Sequence, residues 1–212
     1  GNSTIAIGDG ALIENNNVAS KYAFNSIAMG TKAQTIGVDN ATAVGTGALV
    51  KGADGIALGR LSVSQNTDAI AIGREAKSTG ANALAISRGA DASGKNAIAA
   101  GVVADASGEN AIAIGNGANA KRVSTVAIGE GATARTQKTI MIGLKAGDGS
   151  EEDTVLGSTK GAHIAIGVEA GRKIGGKENV SLVYQAGNEV LSDYNISIGS
   201  MAGSKIGATG DN

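Results

Sequence analysis

The chain has 212 residues, 34 of them Gly, with no Pro and no Cys, and Lys+Arg 18 against Asp+Glu 19 leave a net charge of −1. Abundant glycine without a Gly-X-Y period and without proline excludes collagen, and the lack of Cys excludes a disulfide scaffold or a cysteine-ligated zinc module. Balanced charge and 2% aromatics argue against a nucleic-acid binder, and no apolar run reaches the roughly 18 residues of a membrane span or forms a signal peptide.

The first predicted strand is Ile5-Ala6-Ile7, closed by Gly8, and the same tetrapeptide returns along the chain. It reads Ile27-Ala28-Met29-Gly30, Thr42-Ala43-Val44-Gly45, Ile56-Ala57-Leu58-Gly59, Ile70-Ala71-Ile72-Gly73 and Leu84-Ala85-Ile86-Ser87. It continues as Ile98-Ala99-Ala100-Gly101, Ile112-Ala113-Ile114-Gly115, Val126-Ala127-Ile128-Gly129 and Ile140-Met141-Ile142-Gly143. Between positions 45 and 143 the fourth residue recurs every 14 residues, the mark of a repeat architecture. The step from Gly8 to Gly30 is 22, which places extra residues near Asn15-Asn16-Asn17.

Period-two alternation predicts strand for each tetrapeptide. The second half of the unit, as in Gly115-Asn116-Gly117-Ala118-Asn119-Ala120 and Gly129-Glu130-Gly131-Ala132-Thr133-Ala134, reads as a glycine turn and a second short strand. Two short strands per circuit make one coil of a parallel β-solenoid, with coils about 4.8 Å apart. Proline would remove a donor from that ladder, which accounts for its absence. About 14 coils give a length on the order of 65 Å.

After Gly143 the pattern changes. Val155-Leu156-Gly157 keeps the step of 14, Ile164-Ala165-Ile166-Gly167 follows after 10, Leu182-Val183-Tyr184-Gln185 reads as the next match after 18, and Ile196-Ser197-Ile198-Gly199 comes 14 later. Turns here read Gly-x-x-Ala-Gly, as in Gly167-Val168-Glu169-Ala170-Gly171. The expectation is one continuous solenoid in two dialects, residues 1–143 and residues 144–212. Both faces of Ile-Ala-Ile are apolar, so one fills the coil and the other needs a partner. We expect Ile and Val to fill the coil and Ala to face neighbouring copies.

Asn110-Ala111-Ile112-Ala113-Ile114-Gly115 followed by Gly117-Ala118-Asn119-Ala120, and Gly94-Lys95-Asn96-Ala97-Ile98-Ala99 with the same preceding turn, closely resemble the YadA-like head repeats of trimeric autotransporter adhesins. The resemblance is most specific over residues 41–143 and looser beyond 144. It implies an all-β, left-handed parallel β-roll assembled as a homotrimer. It also implies the cell surface of a Gram-negative bacterium, in a virulence-associated parent anchored in the outer membrane. Neither a heptad stalk, a neck motif nor an anchor is visible, so the chain reads as a head fragment without direct membrane insertion.

Few residues suggest chemistry. His163 is the single His and reads as a loop histidine. Gly171-Arg172-Lys173-Ile174-Gly175-Gly176-Lys177 fits a phosphate-binding loop until Glu178 stands where Ser or Thr is needed, and Val180-Ser181-Leu182-Val183-Tyr184 then reads as strand, not helix. Asp148-Gly149-Ser150-Glu151-Glu152-Asp153 is acidic but off the EF-hand spacing and reads as a solvated loop. Arg60, Arg74 and Arg88 each follow the fourth position, 14 residues apart. They should stack on adjacent coils as a short basic ladder, a candidate ligand-binding strip for acidic groups. No catalytic, cofactor-binding or metal residues are expected. The sequence therefore points to a non-enzymatic adhesin head that attaches to a host extracellular matrix protein or cell-surface glycan by multivalent contact. The alternative is a passive trimeric spacer or fibre segment with binding carried elsewhere.

Overall fold

A computed structural model describes residues 3–14, 25–149 and 161–207. The expectations for Asn15-Asn16-Asn17, for Val155-Leu156-Gly157 and for positions 150–153 of the acidic cluster lie outside the described residues. The chain divides into two units, Gly1–Val103 and Ala104–Asn212.

In the first unit the tetrapeptides form β1 (Ile5–Ile7), β3 (Ile27–Met29), β5 (Thr42–Val44), β7 (Ile56–Leu58), β9 (Ile70–Ile72), β11 (Leu84–Ile86) and β13 (Ile98–Ala100). They pair in parallel in that order, residue for residue, so that Ile5 lies beside Ile27, Ile56 beside Ile70 and Leu84 beside Ile98. The opposite wall is also parallel: β2 (Leu12–Glu14), β4 (Gln34–Ile36), β6 (Leu49–Val50), β8 (Val63–Ser64), β10 (Lys77–Ser78) and β12 (Asp91–Ala92).

The second unit repeats the plan. Its tetrapeptides form β14 (Ile112–Ile114), β16 (Val126–Ile128), β18 (Ile140–Ile142), β19 (Ile164–Ile166), β20 (Val180–Leu182) and β21 (Ile196–Ile198), again parallel in sequence order. The opposite wall holds β15 (Asn119–Ala120) and β17 (Thr133–Ala134). Later coils replace the second strand with turns over residues 167–173 and 183–189. Each unit is thus a parallel β-solenoid with a spacing near 14 residues, widening in the later coils.

The interior corrects the expectation about faces. The central Ala of each tetrapeptide points inward: Ala28, Ala43, Ala57, Ala71, Ala85, Ala99, Ala113 and Ala127 are all fully buried. Ile and Val at the flanking positions point out, and many are strongly exposed, such as Ile7, Ile86 and Ile114. The reason is width. The opposite wall contributes small inward residues, Val50, Ser64, Ser78 and Ala92, all buried. Even a methyl group is too much in places: a Cβ on Gly55 would lie 2.6 Å from Ser64 Oγ and 2.8 Å from Val50 Cγ1. Walls so close favour Ala at the tetrapeptide's centre, and Val50 is accommodated beside Gly55, which has no side chain. Ser64 Oγ and Ser78 Oγ donate to the carbonyls of Ala69 and Ala83, each at 2.8 Å, which satisfies these two interior hydroxyls.

The register of the later coils also differs from the sequence reading. Ile164 pairs with Val180 and Val180 with Ile196. The tetrapeptide is therefore Val180-Ser181-Leu182-Val183, not Leu182-Val183-Tyr184-Gln185. A two-residue shift preserves the in-out alternation, so period two could not distinguish them. β18 pairs directly with β19, Ile140 beside Ile164.

Candidate functional site

Among the described residues, the outer face of the tetrapeptide wall leaves apolar side chains exposed. In the first unit its two columns carry Ile5, Ile27, Thr42, Ile56, Ile70, Leu84 and Ile98, and Ile7, Met29, Val44, Leu58, Ile72, Ile86 and Ala100. The second unit has a comparable face, with Ile114 40% and Ile166 42% exposed. Parallel in-register stacking gathers these half-buried and exposed side chains, apolar except for Thr42, into stripes. Stripes of this kind mark interaction surfaces in soluble proteins.

Arg60, Arg74 and Arg88 sit at the corner just past these stripes. The turn bonds tie one coil to the next: Glu75 N–H donates to Arg60 O at 2.9 Å, Gly89 N–H to Arg74 O at 2.9 Å and Val103 N–H to Arg88 O at 3.0 Å. The structure thus brings the three arginines onto successive coils, all exposed. They are not equivalent. Arg60 Nη2 donates to Glu75 Oε1 at 2.9 Å, with both side chains about half exposed. Such a surface pair contributes at most about 1 kcal/mol and is screened by salt. Among the described residues Arg74 and Arg88 form no ion pair, which leaves them as the available cations of the strip.

The fourth position explains the spacing of this surface. Gly59 has φ +136°, and a Cβ there would lie 2.5 Å from the carbonyl oxygen of Gly73 on the next coil. Glycine suits that approach best. Ser87 occupies the position at φ 112°, a local strain.

The remaining candidates resolve as follows. His163 lies outside the strands, just before β19, and is fully buried at an interior position. Burial lowers its pKa from 6.5 to about 4, with Asp193 pulling the other way. The phosphate-loop look-alike buries Ile174 and Gly175 and leads into strand β20, so no helix N-terminus faces a ligand there. Beside it, Glu169 accepts from Gln185 Nε2 at 2.7 Å and from Arg172 Nη1 at 3.3 Å. The Gln185 bond chiefly, aided by Arg172, holds this carboxyl below its usual range. Among the described residues no group of three His, Cys, Asp or Glu could hold a metal ion, and no helix is long and apolar enough to cross a membrane.

The sequence reading missed one column. Asn25, Asn40, Asp54, Asp68, Asn82 and Asn96 all adopt positive φ between 52° and 57°, at the turn before each tetrapeptide. Asn and Asp tolerate this left-handed geometry better than other side chains. They also link the coils: Asn40 Nδ2 donates to Asp54 Oδ1 at 2.9 Å and Asn82 Nδ2 to Asn96 Oδ1 at 3.1 Å. Their spacing was readable as a signal alongside the glycine period.

Comparison with known proteins agrees with this geometry. The family model described as "YadA head domain repeat (2 copies)" matches residues 39–62, 64–86 and 92–122. No curated protein matches the chain.

Proposed function

Taking as premise that the chain carries a YadA-like head domain, we propose that it is the head of a non-enzymatic bacterial surface adhesin. It acts as a homotrimer with a left-handed roll in each protomer, carried outside the cell by a parent anchored in the outer membrane. The observation that supports this reading most is the partly exposed apolar face of the tetrapeptide wall in each unit. Three copies around an axis would cover these faces with ring-closing contacts. Attachment to a host matrix protein or cell-surface glycan then comes from multiplicity: each protomer repeats its corner on every coil, and three protomers multiply it. Avidity of this kind exceeds single-site affinity by about 10²–10⁴-fold. Arg74 and Arg88, with Arg60 beside them, are the cations that would meet acidic groups.

The pairing of Arg60 with Glu75 favours a second reading, a passive spacer with binding elsewhere. Solid-phase binding to immobilised matrix proteins and sulfated glycans separates the two. The adhesive reading expects saturable binding that falls at least about tenfold when Arg60→Ser, Arg74→Ser and Arg88→Ser are combined, because multivalent contact amplifies each lost site. Absence of binding to every surface tested would establish the spacer instead.

A further inference from the structure

The interior position just before each tetrapeptide has a recurring duty. Its backbone N–H sits at the junction of turn and strand and needs an acceptor. In regular coils the turn's own carbonyl serves: Ala69 N–H donates to Asn66 O and Ala97 N–H to Gly94 O, each at 3.2 Å. In the wider later coils the acceptor is a side chain of the preceding coil. Asn195 N–H donates to Asn179 Oδ1 at 2.8 Å. Asn179 N–H donates to His163 Nδ1 at 3.3 Å. Asn179 is fixed in turn, since its Nδ2 donates to Gly175 O and Ser192 O at 3.0 Å each. His163, Asn179 and Asn195 therefore form one chain of bonds from coil to coil.

We propose that His163 is an acid-sensitive latch within the second unit, holding the coil of β20 to the coil of β19 while neutral and releasing it when protonated. Accepting at Nδ1 means that the neutral ring carries its hydrogen on Nε2. Nε2 is buried and has no hydrogen-bond partner among the described residues. A second proton must go to Nδ1, where it meets the Asn179 N–H donor to donor. The ring is then a cation with no solvent contact, in a site that has lost its one bond. Thr136 and Thr139 on the preceding coil bond each other at 2.8 Å. The charged side chains on the surrounding turns are Arg135 and Lys138 before Thr139, Lys177 and Glu178 before Asn179, and Asp193 before Asn195. Of these, Asp193 acts on the ring, and its carboxylate favours protonation without offsetting burial.

The sign follows from linkage. The pKa falls from 6.5 to about 4 on folding, so the unfolded or opened chain binds the proton more readily. The latch is complete at pH 6.5 and above and is lost progressively as pH falls to about 4. Over that window the opened population rises by about tenfold per pH unit. The chain's single His makes the measurement direct. Ring resonances should titrate with a midpoint near 4, and hydrogen-exchange protection of the Asn179 and Asn195 amides should fall over the same range. Amides of β7 and β9 in the first unit serve as the control and should keep their protection. His163→Asn, which places the ladder's other side chain at this site, should abolish the pH dependence at Asn179. If that variant does not fold, the wild-type titration and exchange still decide. A ring midpoint near 6.5, or equal pH dependence of the Asn179 and β7 amides, would overturn the proposal.

Discussion

Gly55 stands where neighbouring coils carry Ala, and Ser64 Oγ, the Gly52 carbonyl oxygen and Val50 Cγ1 occupy the space that a methyl group would need. The hypothetical Cβ of Gly55 would lie 2.8 Å from Val50 Cγ1 and 2.6 Å from Ser64 Oγ. Gly55→Ala is therefore expected to destabilise the chain by about 1–3 kcal/mol through overpacking. Val50→Ala made on top of it should recover part of that loss, so a double-mutant cycle by urea denaturation should show coupling above about 0.5 kcal/mol. Additivity of the two changes would contradict this account of the interior. Ser87 gives the opposite case. Its φ of 112° suits glycine alone, so Ser87→Gly should raise stability by about 1 kcal/mol, read as a shift in denaturation midpoint at unchanged slope. At this scale the sequence was partly legible. Glycine at the fourth position was read as a turn device, and its closeness to the next coil was not. The inward direction of Ala was missed because Ile-Ala-Ile is apolar on both faces. What distinguishes the faces is variety: the central residue is nearly always Ala, while the flanking ones range over Ile, Val, Leu, Met and Thr. A narrow interior favours one small side chain, with few exceptions such as Met141 and Val50, and an outer face tolerates several.

The coil is the element of this fold, and its bonds run to its neighbours rather than within itself. Leu84 N–H donates to Ala97 O at 2.9 Å, and Ile70 N–H to Ala83 O at 2.9 Å. Leu84→Pro would remove one such donor from a wall strand and leave Ala97 O without it. We expect a loss of at least about 2 kcal/mol. Exchange protection should fall most in the coils of β9, β11 and β13, because each coil is supported by its nearest neighbours. Uniform loss across the unit would mean that the coils do not behave as separate layers. The coil period was legible wherever one glycine spacing repeated, and the strands fall on the tetrapeptides as read. It failed at residues 180–183. There Val183 replaces the marker glycine, and a shift of two residues leaves the alternation intact. Only the pairing of Ile164 with Val180 and of Val180 with Ile196 settles it.

At the scale of the whole molecule the question is what covers the outer columns of the tetrapeptide wall. Ile72 and Ile86 are 37% and 40% exposed in the single chain, and each would contribute roughly 1–3 kcal/mol if buried against another copy. Ile72→Ser with Ile86→Ser should leave the circular dichroism of the coils unchanged, since neither side chain enters the interior. The same pair should weaken self-association by more than about tenfold. A loss of folding at high protein concentration would instead mean that these side chains support the coil itself. The surplus of apolar positions over interior space was legible from composition, and it is what the proposed self-association rests on. Which face is left outside became clear only once Ala was seen inside. The most direct measurement is sedimentation equilibrium of the wild-type chain over micromolar concentrations. The account predicts a species of three 20.6-kDa protomers that dissociates in the Ile72→Ser, Ile86→Ser variant. A folded, stable single protomer at those concentrations would contradict it.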